Sequence, residues 1–370
     1  MATATDTPVK ERSVPKPAFT DAEAGALEFP SSDSRSFNYF TPRKRRATVY
    51  EDVTVDVQPD PDRYLTQGWV YAFADGTAGY PQEWTALKSS NWHEFLDPNE
   101  EWEQTIYRNN AAIVRQVQQN IANAKAAGSF AAINRGWAKL LERHVFAWAH
   151  AEHGIGMHVY IPANRDAPTN MINNALAVAA AHKLRFAQDL ILYNLELTDQ
   201  IEGFAGDAHK EAWQQDPIWQ PTRENVERLT GVRDWGEAFF ATAVVFEPLV
   251  GELFRSGFVM QAAALHGDYV TPSLMGNGES DAAREQRGAR ALFGMLANDE
   301  AHGEENRATM QEWLLSWTAM SANAARQLQP IWSQLPEKVV RFEDSFERSQ
   351  QRFEGLLGDL GLDTPKELSA

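Results

Sequence analysis

Apolar residues recur at spacings of three and four along most of the chain, and the clearest run lies between Gly136 and Pro162. Trp137, Leu140, Leu141, Val145 and Trp148 fall there on one face of a helix, with His144 on the same face. His150, Glu152, His153 and His158 follow near its end. Upstream, Asp97-Pro98-Asn99-Glu100 predicts a capped helix start, and Trp102, Ile106, Ile113, Val117, Ile121 and Ala124 form a stripe that Gly128 should stop. These two helices are expected to pair antiparallel. After a turn over 163–168, an Ala-rich segment runs into a helix whose buried face is Leu184, Ala187, Leu190, Ile191 and Leu195. Residues 203–222 read as irregular, weighted by Trp213 and Trp219. Asp234 with Glu237 predicts a second capping box and a helix towards Gly267, kinked at Pro248. A loop over 268–278 should precede the last helices, 281–329 and 338–357. Alternation is confined to Val53, Val55 and Val57, too short to found a sheet. The fold class is therefore all-α.

The first 60 residues break this pattern. Pro8, Pro15, Pro17, Pro30, Pro42, Pro59 and Pro61 interrupt any helix, so residues 1–60 are expected to form an extended arm and 61–370 a helical domain. The arm is not bland. Phe37, Tyr39, Phe40 and Tyr50, with Arg43, Lys44, Arg45 and Arg46, combine the aromatic and cationic residue types that carry binding energy in interfaces. These residues are candidates for contact with a partner.

Charge and composition narrow the function. A formal net charge of -17 opposes binding to nucleic acid, which needs clustered cations. With no cysteine there are no disulfides or thiolate ligands, and with no apolar run long enough to span a bilayer the chain is expected to be soluble and cytoplasmic. Nucleotide loops and nucleophile elbows are absent.

The remaining candidate chemistry is a metal. A carboxylate-bridged di-iron centre in a four-helix bundle takes Glu from two helices and Glu-x-x-His from two more. Of all the histidines only His302 has an acid three residues before it, Asp299, and no Glu-x-x-His occurs. Glu152 and His153 are adjacent, about 100° apart around a helix, and cannot chelate one ion together. Between Glu103 and Glu142 there is no acidic residue. His150 and His153 form a His-x-x-His pair with no evident third ligand, and His144 reads as a hydrogen-bonded core histidine.

The segments SFNYFTPRKRRATVYEDVTVDVQPDP, QGWVYAF, AEHGIGMHVYIP, RFAQDLILYNLEL, VVFEPLVGELFRSGF, ALHGDYVTP and NDEAHGEENR resemble the small, or beta, hydroxylase subunits of the soluble di-iron monooxygenases, most of all the propane monooxygenase group. Tetrahydrofuran and phenol-type relatives stand close by. The likeness runs from about Ser36 to Trp332. It implies a ferritin-like bundle with additional helices, and a large alpha subunit of related fold that holds the di-iron centre. It implies a reductase with FAD and an iron-sulfur cluster that draws on NADH, a coupling protein, and a dimer of alpha-beta pairs. The implied reaction inserts one atom of O₂ into a small hydrocarbon, propane or a similar alkane, with phenol or a cyclic ether as other substrates. This chain then has no catalytic residue and no cofactor of its own. Its ligand positions look degenerate: Ala151 and Gly154 replace one Glu-x-x-His, Glu300 and Gly303 keep only the Glu of the other, and Glu247 matches the remaining carboxylate. Such residual acids should be paired with Arg or His, or be polar groups at an interface. The rival reading is a ferritin-like enzyme with its own metal site, at these positions or at His150 and His153.

Overall fold

The computed structural model describes residues 47–55 and 84–368. Among the described residues all regular elements are helical and there is no strand. No described helix is long and apolar enough to cross a membrane.

The first helix, α1 (Val49–Thr54), lies in the stretch expected to be an extended arm. A reciprocal capping box starts it: Thr48 Oγ1 accepts from the Glu51 N–H at 3.2 Å, and the Glu51 carboxylate accepts from the Thr48 N–H at 2.7 Å. Val53 is therefore helical, not part of an alternating strand. Tyr50, one of the candidate partner-contact residues, is 2 % exposed within this chain. Phe37, Tyr39, Phe40, Arg43 and Arg45 lie outside the described residues.

The helical core belongs to the unit 81–370. Its first long helix, α2 (Glu103–Ala126), starts later than the Asp97-Pro98 signal. Asp97 closes a local turn instead, accepting from the Asn99 N–H at 2.9 Å, and Glu100 adopts φ 49, which no helix can continue through. Gly128, at φ 66, lies just beyond the end of α2, as expected. Only Ile106 and Val117 of the α2 stripe are fully buried, because α2 is an outer helix resting on α4 (Asn170–Gln200) and α8 (Thr271–Ala297).

The antiparallel partner of α4 is α3, a helical run over 135–166 capped by Asn134, whose Oδ1 accepts from the Gly136 N–H at 2.8 Å. Two short helices, α5 (Ala208–Gln215) and α6 (Gln220–Thr230), fill much of the segment read as irregular. Asp234 then caps α7, a helical run over 235–262. Glu237 does not return the bond to the cap but accepts from Trp317 Nε1 at 2.8 Å. Around Pro248, which has no N–H to donate, α7 widens into a π-helical stretch, Ala241–Gly251. Pro272 lies in the first turn of α8, where its missing donor is harmless, so the expected loop over 268–278 is mostly helix. The single helix expected over 281–329 is two, α8 and α9 (Gly303–Gln327), separated by a turn that Asp299 closes by accepting from the N–H groups of Ala301 and His302. Short α10 (Gln329–Ser333) and long α11 (Phe342–Leu360) complete the chain.

Helices α3, α4, α7 and α8 form a closed four-helix bundle of two hairpins joined by the long α5–α6 crossover, the ferritin-like arrangement. α9 and α11 cover the outside of α7.

Candidate functional site

Ionisable side chains from all four bundle helices meet in the interior. Lys183 projects from α4, Glu247 and Arg255 from α7, Glu279 and Glu285 from α8, and Glu152 and Tyr160 from α3. Lys183 Nζ lies 3.2 Å from Glu152 and 3.6 Å from Glu285, and it also bonds Glu247. Arg255 fans its three nitrogens onto three carboxylates: Nη1 to Glu152 at 3.0 Å, Nη2 to Glu247 at 2.6 Å and Nε to Glu279 at 2.7 Å. Its guanidinium also lies 5.6 Å from the centre of the Trp148 ring, and Trp148 Nε1 donates to Glu152 at 2.6 Å. Tyr160 donates its hydroxyl proton to Glu285.

Spacing along α7 explains how two of these groups come together. Glu247, Gly251 and Arg255 are four residues apart and so lie along one side of the helix. Gly251 has to lack a side chain, since a Cβ there would stand 2.5 Å from Glu247 Oε2 and 2.9 Å from Arg255 Nη1.

The charges settle differently on two buried acids of the cluster, Glu247 and Glu285. Burial alone would raise the Glu247 carboxyl, but Arg255 and Lys183 overcome it and hold it at about 2. Burial pushes Glu285 up to about 7 against the pull of Lys183, so this acid keeps its proton well above the usual carboxylate range. Four carboxylates thus face two cations, and a proton on Glu285 makes up part of the deficit.

A second buried network lies next to the first. His182 places Nδ1 2.8 Å from Asp281 and Nε2 3.3 Å from Glu101, while Arg185 pairs with Asp189 and Asp281. It fastens the segment leading into α2 to α4 and α8.

The ligand positions read from sequence lie elsewhere. Ala151 is fully buried, and a Cβ on Gly154 would meet Val226 at 2.8 Å, so both small residues serve helix packing. Glu300 is exposed in the turn between α8 and α9, and Gly303 opens α9; neither lies among the four bundle helices. Of those positions only Glu247 belongs to the central cluster. His150 and His153 do not converge. His150 Nε2 lies 3.0 Å from His209 Nδ1, whereas the His153 ring faces His158 with centroids 6.0 Å apart. His144 is a core histidine, accepting from Trp219 Nε1 at 3.0 Å and contacting Gln334, and burial lowers it to about 4. Among the described residues no group of three or more His, Asp or Glu can hold a metal ion as the side chains stand.

Reading the sequence for metal ligands missed Lys183, Arg255, Glu279 and Glu285. A signal was present: Lys183 and Arg255 each interrupt an apolar helical stretch, and a cation inside such a stretch needs a buried acid opposite.

Comparison with known proteins agrees with this architecture. A sequence model of the family described as Methane/Phenol/Alkene Hydroxylase matches residues 69–300. The propane 2-monooxygenase hydroxylase component small subunit of Rhodococcus jostii (strain RHA1) is 58% identical over 359 residues, 97% of this chain and 98% of that protein. The methane monooxygenase component A beta chain of Methylosinus trichosporium is 25% identical over 359 residues, 92% and 89% of the two chains. Among solved structures, phenol hydroxylase from Pseudomonas sp. OX1 superposes with a TM-score of 0.73 at 19% identity, over 86% of this chain and 92% of that one, a likeness of fold. The chain belongs to the small hydroxylase subunits of the soluble di-iron monooxygenases, in the propane 2-monooxygenase branch.

Proposed function

We propose that this chain is the non-catalytic scaffold of a hydroxylase that oxidises a short alkane of the propane class with O₂ in the cytoplasm. The large alpha subunit would hold the two irons, in a dimer of alpha-beta pairs served by a coupling protein and by an NADH-dependent reductase carrying FAD and an iron-sulfur cluster. The observation that carries this reading is the content of the bundle. Where carboxylates from facing helices would surround two metal ions, this chain has Lys183 and Arg255 among Glu152, Glu247, Glu279 and Glu285. Those residues do not fit a di-iron centre. All four acids are already paired with Lys183 or Arg255, and no histidine lies among them.

The test is to co-express the chain with its large subunit and assign the iron. We expect about two irons per alpha-beta pair, propane-dependent consumption of NADH once the reductase and coupling protein are added, and no stoichiometric iron on this chain expressed alone. Two irons on the isolated chain would favour the rival metal-binding enzyme.

The arm belongs to the same proposal. Phe37, Tyr39, Phe40, Arg43 and Arg45 have the composition of a segment that binds a partner surface. Removing residues 1–46, which leaves α1 intact, should lower the yield of co-purified large subunit while circular dichroism stays helical. An unchanged yield would remove the arm from the interface.

A further inference from the structure

Helix α2 is held loosely by its own chain. Of its 24 residues only Ile106 and Val117 are fully buried, while Ile113, Val114 and Ile121 stay half-buried and Tyr107 is 66 % exposed. A helix in a protein draws most of its stability from apolar residues packed away from water, so those left half-covered are places for a second layer. The surface beside α2 continues the pattern. Asn174 Nδ2 donates to the Glu101 carbonyl at 2.6 Å and Lys125 Nζ lies 2.6 Å from Glu196, pairs 73 and 71 residues apart, so α2 runs parallel to α4. Gln119 and Asn123 thus stand level with the end of α4 that carries Leu192 and Leu195, which are 50 % and 54 % exposed. Charge also sets this face apart. The chain carries -17, yet no acidic residue occurs between Glu103 and Glu142. Arg108 and Arg115 are exposed about two turns apart on one side of α2, and among the described residues neither has an acidic partner.

We propose that the outer face of α2, with the exposed strip of α4 beside it, is the surface on which the large subunit sits. The inference rests on the proposed function, which supplies that partner, and adds where it binds. Composition selects the permanent subunit over a component that binds and leaves. Exposed alanine, amide and leucine side chains, with arginine as the cation and no acid along α2 after Glu103, have the make-up of an interface core, where Lys, Glu and Asp are depleted. Surfaces for brief encounters are smaller, and permanent ones more apolar. Arg108 and Arg115 require carboxylates on the partner, and pairs formed there would fix its register. With its 24 residues α2 is about 36 Å long and about 10 Å across. The α4 strip widens its second half, so the face approaches the roughly 800 Å² that each side of a standard interface contributes.

The test co-expresses the full chain with its large subunit. Ala111→Glu combined with Leu192→Glu places two charges on the face at exposed positions, where substitutions seldom disturb folding. This double variant should retain about tenfold less large subunit than wild type, because uncompensated charge inside an interface weakens it. Ala308→Glu, the same change at an exposed alanine of α9, should retain the wild-type amount. Hydrogen exchange needs no substitution: in the wild-type complex the amides of 103–126 and 188–199 should exchange about tenfold more slowly than in the chain alone. Unchanged exchange there, full retention by the double variant, or an equal loss with Ala308→Glu would overturn the inference. If the double variant does not fold, the exchange measurement on wild type decides. An isolated chain that sediments as a dimer, and as a monomer once Ala111→Glu is introduced, would assign the face to a second copy and overturn the inference as well. A wild-type chain that retains no large subunit would remove the proposed function and this inference together, whereas association without protection of α2 removes this inference alone.

Discussion

Replacing Arg255 by methionine should destabilise the chain by about 3–5 kcal/mol, the usual cost of removing one partner from a buried ion pair. Arg255 is 0 % exposed and serves three acids at once, Glu152, Glu247 and Glu279. Methionine fills much of the stem volume, so the loss would come from charge and not from a cavity. Glu247 would have only Lys183 left to offset its burial, and Glu152 would keep Lys183 and the Trp148 N–H. The comparison that isolates this cause is Glu247→Gln in the Arg255→Met background, which removes an orphaned charge along with its partner. The double variant should be less destabilised than the sum of the single ones, because deleting both members of a buried pair is milder than deleting one. Urea unfolding measures all three, and a loss below about 1 kcal/mol for Arg255→Met would mean that the cluster contributes little to folding.

Gly267→Ala is the second large effect, and its origin is steric. Gly267 turns the chain between α7 and α8 at φ 82, in the left-handed region where a side chain costs about 1–2 kcal/mol. A methyl group there would also run into the carbonyl of Ala132, which is backbone and cannot swing aside. The loop over 129–134 is held against this corner by the Asn134 N–H donating to the His266 carbonyl at 2.8 Å, and by Trp137 Nε1 donating to Asp268 at 2.9 Å. Both bonds should loosen, raising the total to roughly 2–4 kcal/mol. Gly203 is the control. It has φ 77 with nothing within 4 Å of a built Cβ, so Gly203→Ala should show the conformational cost alone. Equal losses at the two positions would mean that the Ala132 contact relaxes freely.

The helical class, the 136–162 helix and the caps at Asp234 and Gly128 were legible because each depends on neighbours within a few residues. The misplacements came from signals with two local solutions. Asp97-Pro98-Asn99-Glu100 has the composition of a helix start and also of a tight turn, and Glu100 at φ 49 selects the turn. Pro272 suits a loop and a first helical turn equally well. Glu300 and Gly303 follow from the resemblance and not from the pattern, and the turn that Asp299 closes after α8 sets both outside the four bundle helices. The central cluster was the least legible feature. Lys183 reaches Glu247 across 64 residues and Arg255 reaches Glu152 across 103, separations at which one sequence carries no register. Pattern could indicate that buried acids needed cations, but not which cations would come.

The closed charge cluster also bears on how the protein is made. A bundle whose internal acids are each paired with its own lysine or arginine can close around cations that the chain itself carries. Protein taken from iron-depleted growth should therefore show the same helical content by circular dichroism as protein from replete growth.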